Sequence, residues 1–204
     1  MNISKKYDVL IVGGGISGCV FASKLLKNNL RSKIAIIETG RGLGGRSSTR
    51  ISKRNKGWKM NHGSPSFNIC NNKGISLLDN FIEELISNKF IKFDDSEFFK
   101  ISNYSKIELT RKSEFIYGKN YNSVSTMREL SQNIINKNNY RNQIDFYFET
   151  LIVSLDFKQN HWSLTSQNGT KFKSDFVVCS SNLLLHRRSM DILNTNQIPL
   201  RKAI

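Results

Sequence analysis

The chain has 204 residues, a net charge of +15, 38% hydrophobic residues and 23% charged residues. This length fits one domain, or one domain with a smaller insertion, and the apolar share is too high for a disordered chain. No stretch approaches the ~20 consecutive apolar residues of a membrane helix, so neither a spanning segment nor a membrane partner is expected.

The N-terminal segment predicts a parallel βαβ unit. Residues 7–12 form a short, β-branched run closed by glycines, which is typical of a buried strand. Residues 16–27 predict a helix, and residues 33–37 predict a second buried strand. Two strands separated by a helix pair in parallel, because a hairpin cannot span that gap.

Downstream patterns predict further helices and strands. Gly, Arg, Ser, Lys and Asn dominate residues 39–73, which predicts a long loop of the kind that is functional or disordered. Asn168-Gly169 indicates a tight hairpin turn. The other predicted elements are helices at 74–88 and 123–137, a β-like region at 90–117, and strand-like runs at 143–157, 161–166 and 171–180. Residues 182–204 show no clear ending.

The three cysteines indicate a reducing compartment. Cys19, Cys70 and Cys179 have neither metal-ligand nor redox-motif spacing. Because unpaired thiols are typical of the cytosol, the sequence predicts a cytoplasmic protein without a metal site.

A glycine fingerprint lies between the first strand and the first helix. Gly13 permits the tight turn, Gly15 lets a pyrophosphate approach the backbone, and Gly18 lets the helix pack close to the strand. The free N–H groups at the start of the helix, around Ile16 and Ser17, then hold the phosphates. The sequence therefore predicts a dinucleotide site; the alternative is a plain glycine-rich turn.

An acidic residue ends the second strand. Glu38 follows Gly18 by 20 residues, which is where a carboxylate accepts hydrogen bonds from the adenosine ribose. A carboxylate there would repel a 2′-phosphate, so NADP is disfavoured. The alternative is an ordinary surface glutamate.

A second glycine-rich segment follows Glu38. Gly44 and Gly45 let the backbone pass close to a ligand, and Arg41 and Arg46 offer fixed positive charge to phosphate oxygens. The basic run at 41–59 also suits nucleic acid, but no nucleic-acid-binding signature accompanies it. The preferred interpretation is that these basic residues neutralise a pyrophosphate. The alternative is that the arginines are solvated side chains of a flexible loop.

Together these motifs resemble the renalase-like branch of the flavin amine oxidase superfamily. The resemblance covers roughly residues 7–185 and continues through Thr49-Arg50 and Asn61-His62-Gly63-Ser64. Asn61 replaces the family's acidic residue, and Phe67 supplies its aromatic. The resemblance implies an α/β fold: a Rossmann-type FAD/NAD(P)-binding fold with an inserted α+β substrate-domain segment and a β-meander. The implied divisions are an FAD-binding unit at 1–63, a substrate segment at 64–120 and a return to the FAD domain at 121–204.

The resemblance also implies FAD as the cofactor and a set of cofactor-binding residues. The ribose would lie at Glu38, the pyrophosphate at residues 15–18, and the isoalloxazine ring near His62 and Gly63. His62 is also a candidate acid–base group, although support of the loop is the preferred role, and the catalytic residues stay unknown. The remaining implied contacts are Arg41, Gly44, Gly45 and Arg46 along the cofactor and the Ile152 backbone at the adenine.

The function implied is an FAD-dependent oxidoreductase that oxidises a small amine or a dihydropyridine-like substrate. Family members are longer, and their C-terminal part supplies a second flavin-contacting motif that nothing in 182–204 matches, so the chain is expected to be C-terminally incomplete. The alternatives are a non-catalytic FAD-binding remnant, a subunit completed by a second chain, an isomerase or desaturase of lipid-like substrates, and a basic nucleic-acid-binding protein.

Overall fold

The computed structural model describes residues 4–29, 31–55, 57–69, 76–102, 106–111 and 118–181. The strands are β1 (Lys5–Val12), β2 (Ile34–Ile37), β3 (Thr49–Ile51), β4 (Lys59–Asn61), β5 (Phe67–Ile69), β6 (Ile91–Phe93), β7 (Glu97–Ser102), β8 (Lys106–Arg111), β9 (Lys119–Ser123), β10 (Ile144–Tyr147), β11 (Ile152–Lys158), β12 (His161–Ser166) and β13 (Lys171–Cys179). The α-helices are α1 (Ile16–Asn28), α2 (Ser76–Ser87) and α3 (Met127–Asn136).

Two compact units make up the chain. The first contains Met1–Gly45 together with Ser131–Ile204, and the second contains Arg46–Leu130. The sequence placed the divisions at 63/64 and 120/121. These divisions stay predictions. In the structure β3 and β4 pair with each other and bond to the start of α3, and all three lie in the second unit.

The first unit is built on a six-stranded sheet with the order β10-β2-β1-β13-β12-β11. Its first four strands run parallel, and β11, β12 and β13 form an antiparallel meander. The predicted βαβ unit and the α/β fold class are therefore confirmed. The run at 143–157 is two strands, because β10 joins the sheet beside β2 whereas β11 starts the meander on the opposite edge.

The meander completes the core of this sheet. Its apolar side chains pack with those of the parallel strands, and burial of such surface is the main favourable term in folding. The predicted hairpin turn is confirmed, since Gly169 has a φ of +81° between β12 and β13. The buried cluster comprises Tyr7, Leu10, Ala35, Ile37, Ile152, Leu155, Leu164 and Phe172.

The second unit consists of short elements. It contains the β3–β4 hairpin, a three-stranded sheet with the order β5-β9-β6, helix α2 and the β7–β8 hairpin. Residues 39–73, predicted as one loop, include β3, β4 and β5. Each of these strands has only three residues, which is too short to show an alternating pattern.

Helix α3 begins later than the predicted residue 123. Residues 119–123 form β9, and Thr126 caps the helix by accepting a hydrogen bond from the Glu129 N–H at 3.2 Å. This spacing of Thr and Glu is the capping-box pattern. A 3-10 helix, Lys137–Gln143, continues from α3 to β10. Among the described residues, no helix combines the length and the hydropathy needed to cross a membrane.

A buried tyrosine connects β1 to the sheet edge. The Tyr7 hydroxyl donates to Asp145 Oδ2 at 2.5 Å and lies 2.5 Å from the Tyr147 hydroxyl. Burial raises the pKa of Tyr7, and the hydrogen bonds to Asp145 and Tyr147 raise it further. The phenol therefore stays neutral in the folded protein at a pH where a solvated tyrosine ionises.

We expect this tyrosine to make stability pH-dependent under alkaline conditions. The pKa of Tyr7 is higher in the folded state than in the unfolded state. Its contribution to the free energy of unfolding is therefore present below about pH 10 and is lost above it, by up to about 1.4 kcal/mol per pH unit. The substitution Tyr7→Phe should lower the free energy of unfolding by about 1–3 kcal/mol at neutral pH. In this variant the part of the pH dependence that Tyr7 causes should disappear. Urea unfolding from about pH 8 to pH 11 measures the difference; equal slopes in both proteins would contradict the assignment.

Candidate functional site

The turn from β1 to α1 leaves the start of the helix without a side-chain cap. Gly13 adopts a φ of +118°, and its N–H donates to the Ile37 carbonyl at 2.8 Å. Helix α1 begins after Gly15, without a side-chain cap and without an acidic residue in its first turn. The first-turn N–H groups therefore carry uncompensated positive potential, which favours an anion.

The fingerprint glycines have different surroundings. A Cβ built at Gly18 would lie 2.2 Å from the Gly13 carbonyl oxygen, so this position accepts only glycine. A Cβ at Gly15 would meet nothing within 4 Å, and the backbone there is extended (φ −75°, ψ −178°). The fold requires Gly18 to be small, whereas the space beside Gly15 is open to a ligand.

Glu38 is held next to this turn. Its Oε2 accepts the Gly14 N–H at 2.6 Å, and its Oε1 accepts the Gly40 N–H at 2.7 Å. The Thr39 hydroxyl also donates to Oε1, at 3.3 Å. Because each carboxylate oxygen has about two lone-pair positions, Oε1 is saturated and Oε2 retains one for a further donor. The side chain is half-buried.

The second glycine-rich segment runs alongside the first. Gly44 forms a parallel bridge with Gly15, and its N–H donates to the Gly14 carbonyl at 2.9 Å. Gly45 has a φ of +52°, and a Cβ there would lie 3.2 Å from the Gly15 Cα. Arg41 belongs to the same unit and is exposed. The structure thus brings together the fingerprint, Glu38 and the Gly-Gly pair.

Ile152 belongs to the core of the first unit. Its side chain is buried in the cluster of the meander. The residues before it reach the Glu38 turn, because the Thr150 N–H donates to the Glu38 carbonyl at 3.0 Å and the Glu149 N–H donates to the Gly40 carbonyl at 3.0 Å. The predicted adenine contact through the Ile152 backbone stays a prediction.

Residues 46–64, by contrast, belong to the second unit. A Cβ at Gly63 would lie 1.9 Å from the Arg46 carbonyl oxygen, which the Ser64 N–H also contacts at 2.8 Å. His62 is exposed, and its Nδ1 lies 3.2 Å from both the hydroxyl and the carbonyl oxygen of Ser48. No described carboxylate contacts its ring. This environment anchors the loop, and a catalytic role of His62 stays a prediction.

Asn61 also has a structural role. Its Oδ1 accepts hydrogen bonds from the Thr49 hydroxyl at 2.6 Å and from the Met127 N–H at 3.3 Å. The Thr49 hydroxyl in turn accepts the Arg128 N–H at 3.3 Å. Asn61 and Thr49 therefore hold the hairpin against the start of α3.

Sequence reasoning missed Ser180. Its hydroxyl donates to the Gly13 carbonyl at 2.9 Å, and a Cβ at Gly13 or Gly18 would approach it to 2.8 Å. Ser180 directly follows β13, which pairs in parallel with β1. The carboxyl ends of adjacent parallel strands meet at one edge of the sheet. A residue that directly follows a strand paired in parallel with β1 is therefore expected near Gly13, and this rule could have indicated Ser180.

Comparison with known proteins identifies the fold. Residues 11–81 match the family described as an NAD(P)-binding Rossmann-like domain. No curated protein shows a significant sequence match.

Two solved structures are similar at 13% identity. One, from Exiguobacterium sp. 255-15, is named for a proposed protoporphyrinogen oxidase activity; it has a TM-score of 0.59 over 91% of this chain and 61% of its own. The other is a redesigned putrescine oxidase, with a TM-score of 0.61 over 98% of this chain and 64% of its own. The chain thus spans less than two thirds of either protein. These similarities show a Rossmann-like domain with the fold of flavin oxidases.

We expect Gly18→Ala and Gly15→Ala to affect stability differently. The methyl group at position 18 meets a backbone oxygen, so we expect a loss of about 3 kcal/mol in the free energy of unfolding. At position 15 alanine is a slightly poorer N-cap than glycine, but it also reduces the conformational entropy of the unfolded chain. These two effects on the free energy of unfolding offset each other to within about 1 kcal/mol. Urea denaturation measures both; equal destabilisation would contradict the distinct surroundings of the two glycines.

Proposed function

We propose that the first unit binds FAD and that the chain is part of a renalase-like, flavin-dependent oxidoreductase. One observation carries the proposal: the open space at Gly15 lies at an uncapped helix start, beside the carboxylate of Glu38. This combination offers N–H groups to a pyrophosphate and an acceptor to a ribose on the same surface.

The residues present fit such a dinucleotide. The pyrophosphate would lie against the N–H groups of residues 15–18, where the absent Cβ of Gly15 allows close approach. A ribose hydroxyl would donate to the remaining lone pair of Glu38 Oε2, and the Gly14 and Gly40 N–H groups already fix the orientation of this carboxylate. Because the carboxylate repels a 2′-phosphate, this site favours FAD or NAD over NADP.

FAD is preferred over NAD for two reasons. The segment from Gly44 to Arg46 and the motif at 61–64 resemble those of flavin amine oxidases. One of the two solved structures described above is a redesigned putrescine oxidase. The Gly-Gly pair along the fingerprint suits either dinucleotide, since it keeps side chains away from that surface.

The proposed reaction is oxidation of a small amine or a dihydropyridine-like substrate. Bound FAD would supply the acceptor for hydride from a substrate C–H bond. The first unit would hold and orient the cofactor, and residues 64–120 are proposed as a substrate-domain segment. His62, which Ser48 tethers, is proposed to support its loop and not to move a proton.

A subunit completed by further polypeptide is a second candidate. Large apolar side chains are exposed in both units, with Phe176 at 67% in the first and Ile107 at 66% in the second. Such exposure is typical of surfaces that another segment covers. A cytoplasmic location is proposed because the described cysteines, Cys19 and Cys179, are free thiols.

The test is an FAD titration of the purified chain. We expect a flavin absorption band that survives gel filtration, and no comparable band with FMN, because FMN lacks the pyrophosphate and the adenosine ribose. Gly15→Ala should weaken FAD binding on the order of 100-fold, since its methyl group displaces charge-assisted hydrogen bonds to the phosphates.

Gly57→Ala is the matched control for this substitution. Gly57 also has nothing within 4 Å of its virtual Cβ, but it lies in the β3–β4 hairpin, so FAD affinity should not change. A chain that takes up no FAD would contradict the binding proposal. Uptake of FAD and FMN with equal affinity would contradict the proposed role of the fingerprint.

A further inference from the structure

The hairpin of residues 49–61, called here the basic hairpin, is attached to its own unit through one face. Thr49 accepts a hydrogen bond from the Arg128 N–H, and Lys59 Nζ lies 3.1 Å from Glu129 Oε1. Both hairpin residues have odd numbers, and side chains alternate between the two faces of a strand. The odd-numbered face therefore packs toward the start of α3.

The even-numbered face carries large apolar side chains in solvent. Arg50 and Met60 are directly opposite each other. Trp58 precedes Met60 by two residues and continues the pairing, because its carbonyl accepts the Ser52 N–H. Trp58 is 74% exposed and Met60 is 61% exposed. An exposed tryptophan beside an exposed methionine is costly in water and marks a surface for an apolar partner.

The same hairpin carries exposed positive charge. No Asp or Glu occurs between Glu38 and Asp79. Arg50, Lys53 and Arg54 are exposed, and none of them forms an ion pair with a described carboxylate. Lys59 is paired with Glu129. The hairpin therefore combines exposed apolar side chains with exposed cationic ones, and Arg50 lies directly opposite Met60.

We propose that the basic hairpin docks onto the surface of an anionic phospholipid bilayer. Tryptophan is enriched at the boundary between headgroups and acyl chains, where its apolar ring and its polar N–H are both satisfied. Each exposed Lys or Arg near such a surface strengthens binding about fivefold. The proposal departs from the expectation of no membrane partner, which rested on the lack of a spanning helix, and it is independent of FAD binding.

A nucleic acid fits this surface less well. Proteins that bind single strands stack successive bases on several aromatic side chains. Trp58 is the only aromatic residue between residues 49 and 61. Its neighbour Met60 is a flexible aliphatic side chain, which suits insertion between acyl chains and offers no stacking surface.

Sedimentation with vesicles tests the proposal. At ~0.1 M salt the chain should bind vesicles of phosphatidylglycerol and phosphatidylcholine, and it should not bind phosphatidylcholine alone. The triple variant Arg50→Gln, Lys53→Gln, Arg54→Gln should lose on the order of 100-fold in partitioning. The control variant Lys6→Gln, Lys27→Gln, Lys173→Gln removes the same charge from exposed sites in the first unit and should retain most of the binding.

Trp58 fluorescence provides an independent measurement. The chain has two tryptophans, so Trp162→Phe leaves Trp58 as the only emitter. Its emission should shift to the blue on anionic vesicles, and brominated lipid should quench it. Trp58→Ser should weaken binding without affecting folding, because the side chain is largely in solvent.

Three results would overturn the proposal. The first is absence of binding to anionic vesicles. The second is an equal loss of binding in the two triple variants, which would indicate attraction by net charge alone. The third is tighter binding to single-stranded DNA or RNA than to vesicles, lost in the hairpin variant, which would assign the surface to nucleic acid.

Discussion

The close approach between the start of α1 and the end of β1 is the constraint on which the candidate site depends. At Gly18 the helix comes so near the Gly13 carbonyl that no side chain fits between them. This contact, together with the Ser180 hydroxyl on the Gly13 carbonyl, sets where the uncapped end of the helix lies. The open space at Gly15 is a consequence of that geometry.

The turn also connects with the rest of the first unit through backbone hydrogen bonds. Glu38 accepts from Gly14 on one side and from Gly40 on the other, and its own carbonyl accepts from Thr150. Residues far apart in sequence thus converge at one end of the parallel strands. Such convergence is typical of dinucleotide-binding sheets, in which short loops at the carboxyl ends of the strands hold the ligand.

Local patterns were sufficient to predict the elements around the fingerprint. β1, α1 and β2 each have the periodicity of their type, and glycines separate them, so their positions were predicted to within one or two residues. The position of Glu38 at this turn was inferred from its spacing after Gly18, and the position of Gly44 was inferred from the family resemblance. The roles of these residues in binding a cofactor stay predictions.

Contacts between distant residues explain what the sequence did not reveal. The three-residue strands β3, β4 and β5 exist because of their partners, and no alternation is visible over so few positions. The predicted helix began at residue 123, and residues 118–122 had no predicted element, but pairing with β5 and β6 makes Lys119–Ser123 a strand. The contacts of Ser180 and Asn61 likewise depend on segments that fold alongside them.

The pairing of β1 with β13 has a consequence for biosynthesis. Val12 lies opposite Cys179, so the strand at the centre of the sheet is synthesised 167 residues before one of its two neighbours. At ribosomal rates of ~5–20 residues per second, that edge of β1 waits roughly 10–30 seconds for its partner. During this interval the nascent chain exposes a row of unpaired backbone groups on an apolar strand. The complete sheet therefore forms late relative to the synthesis of β1, and the emerging chain is a natural client for chaperones.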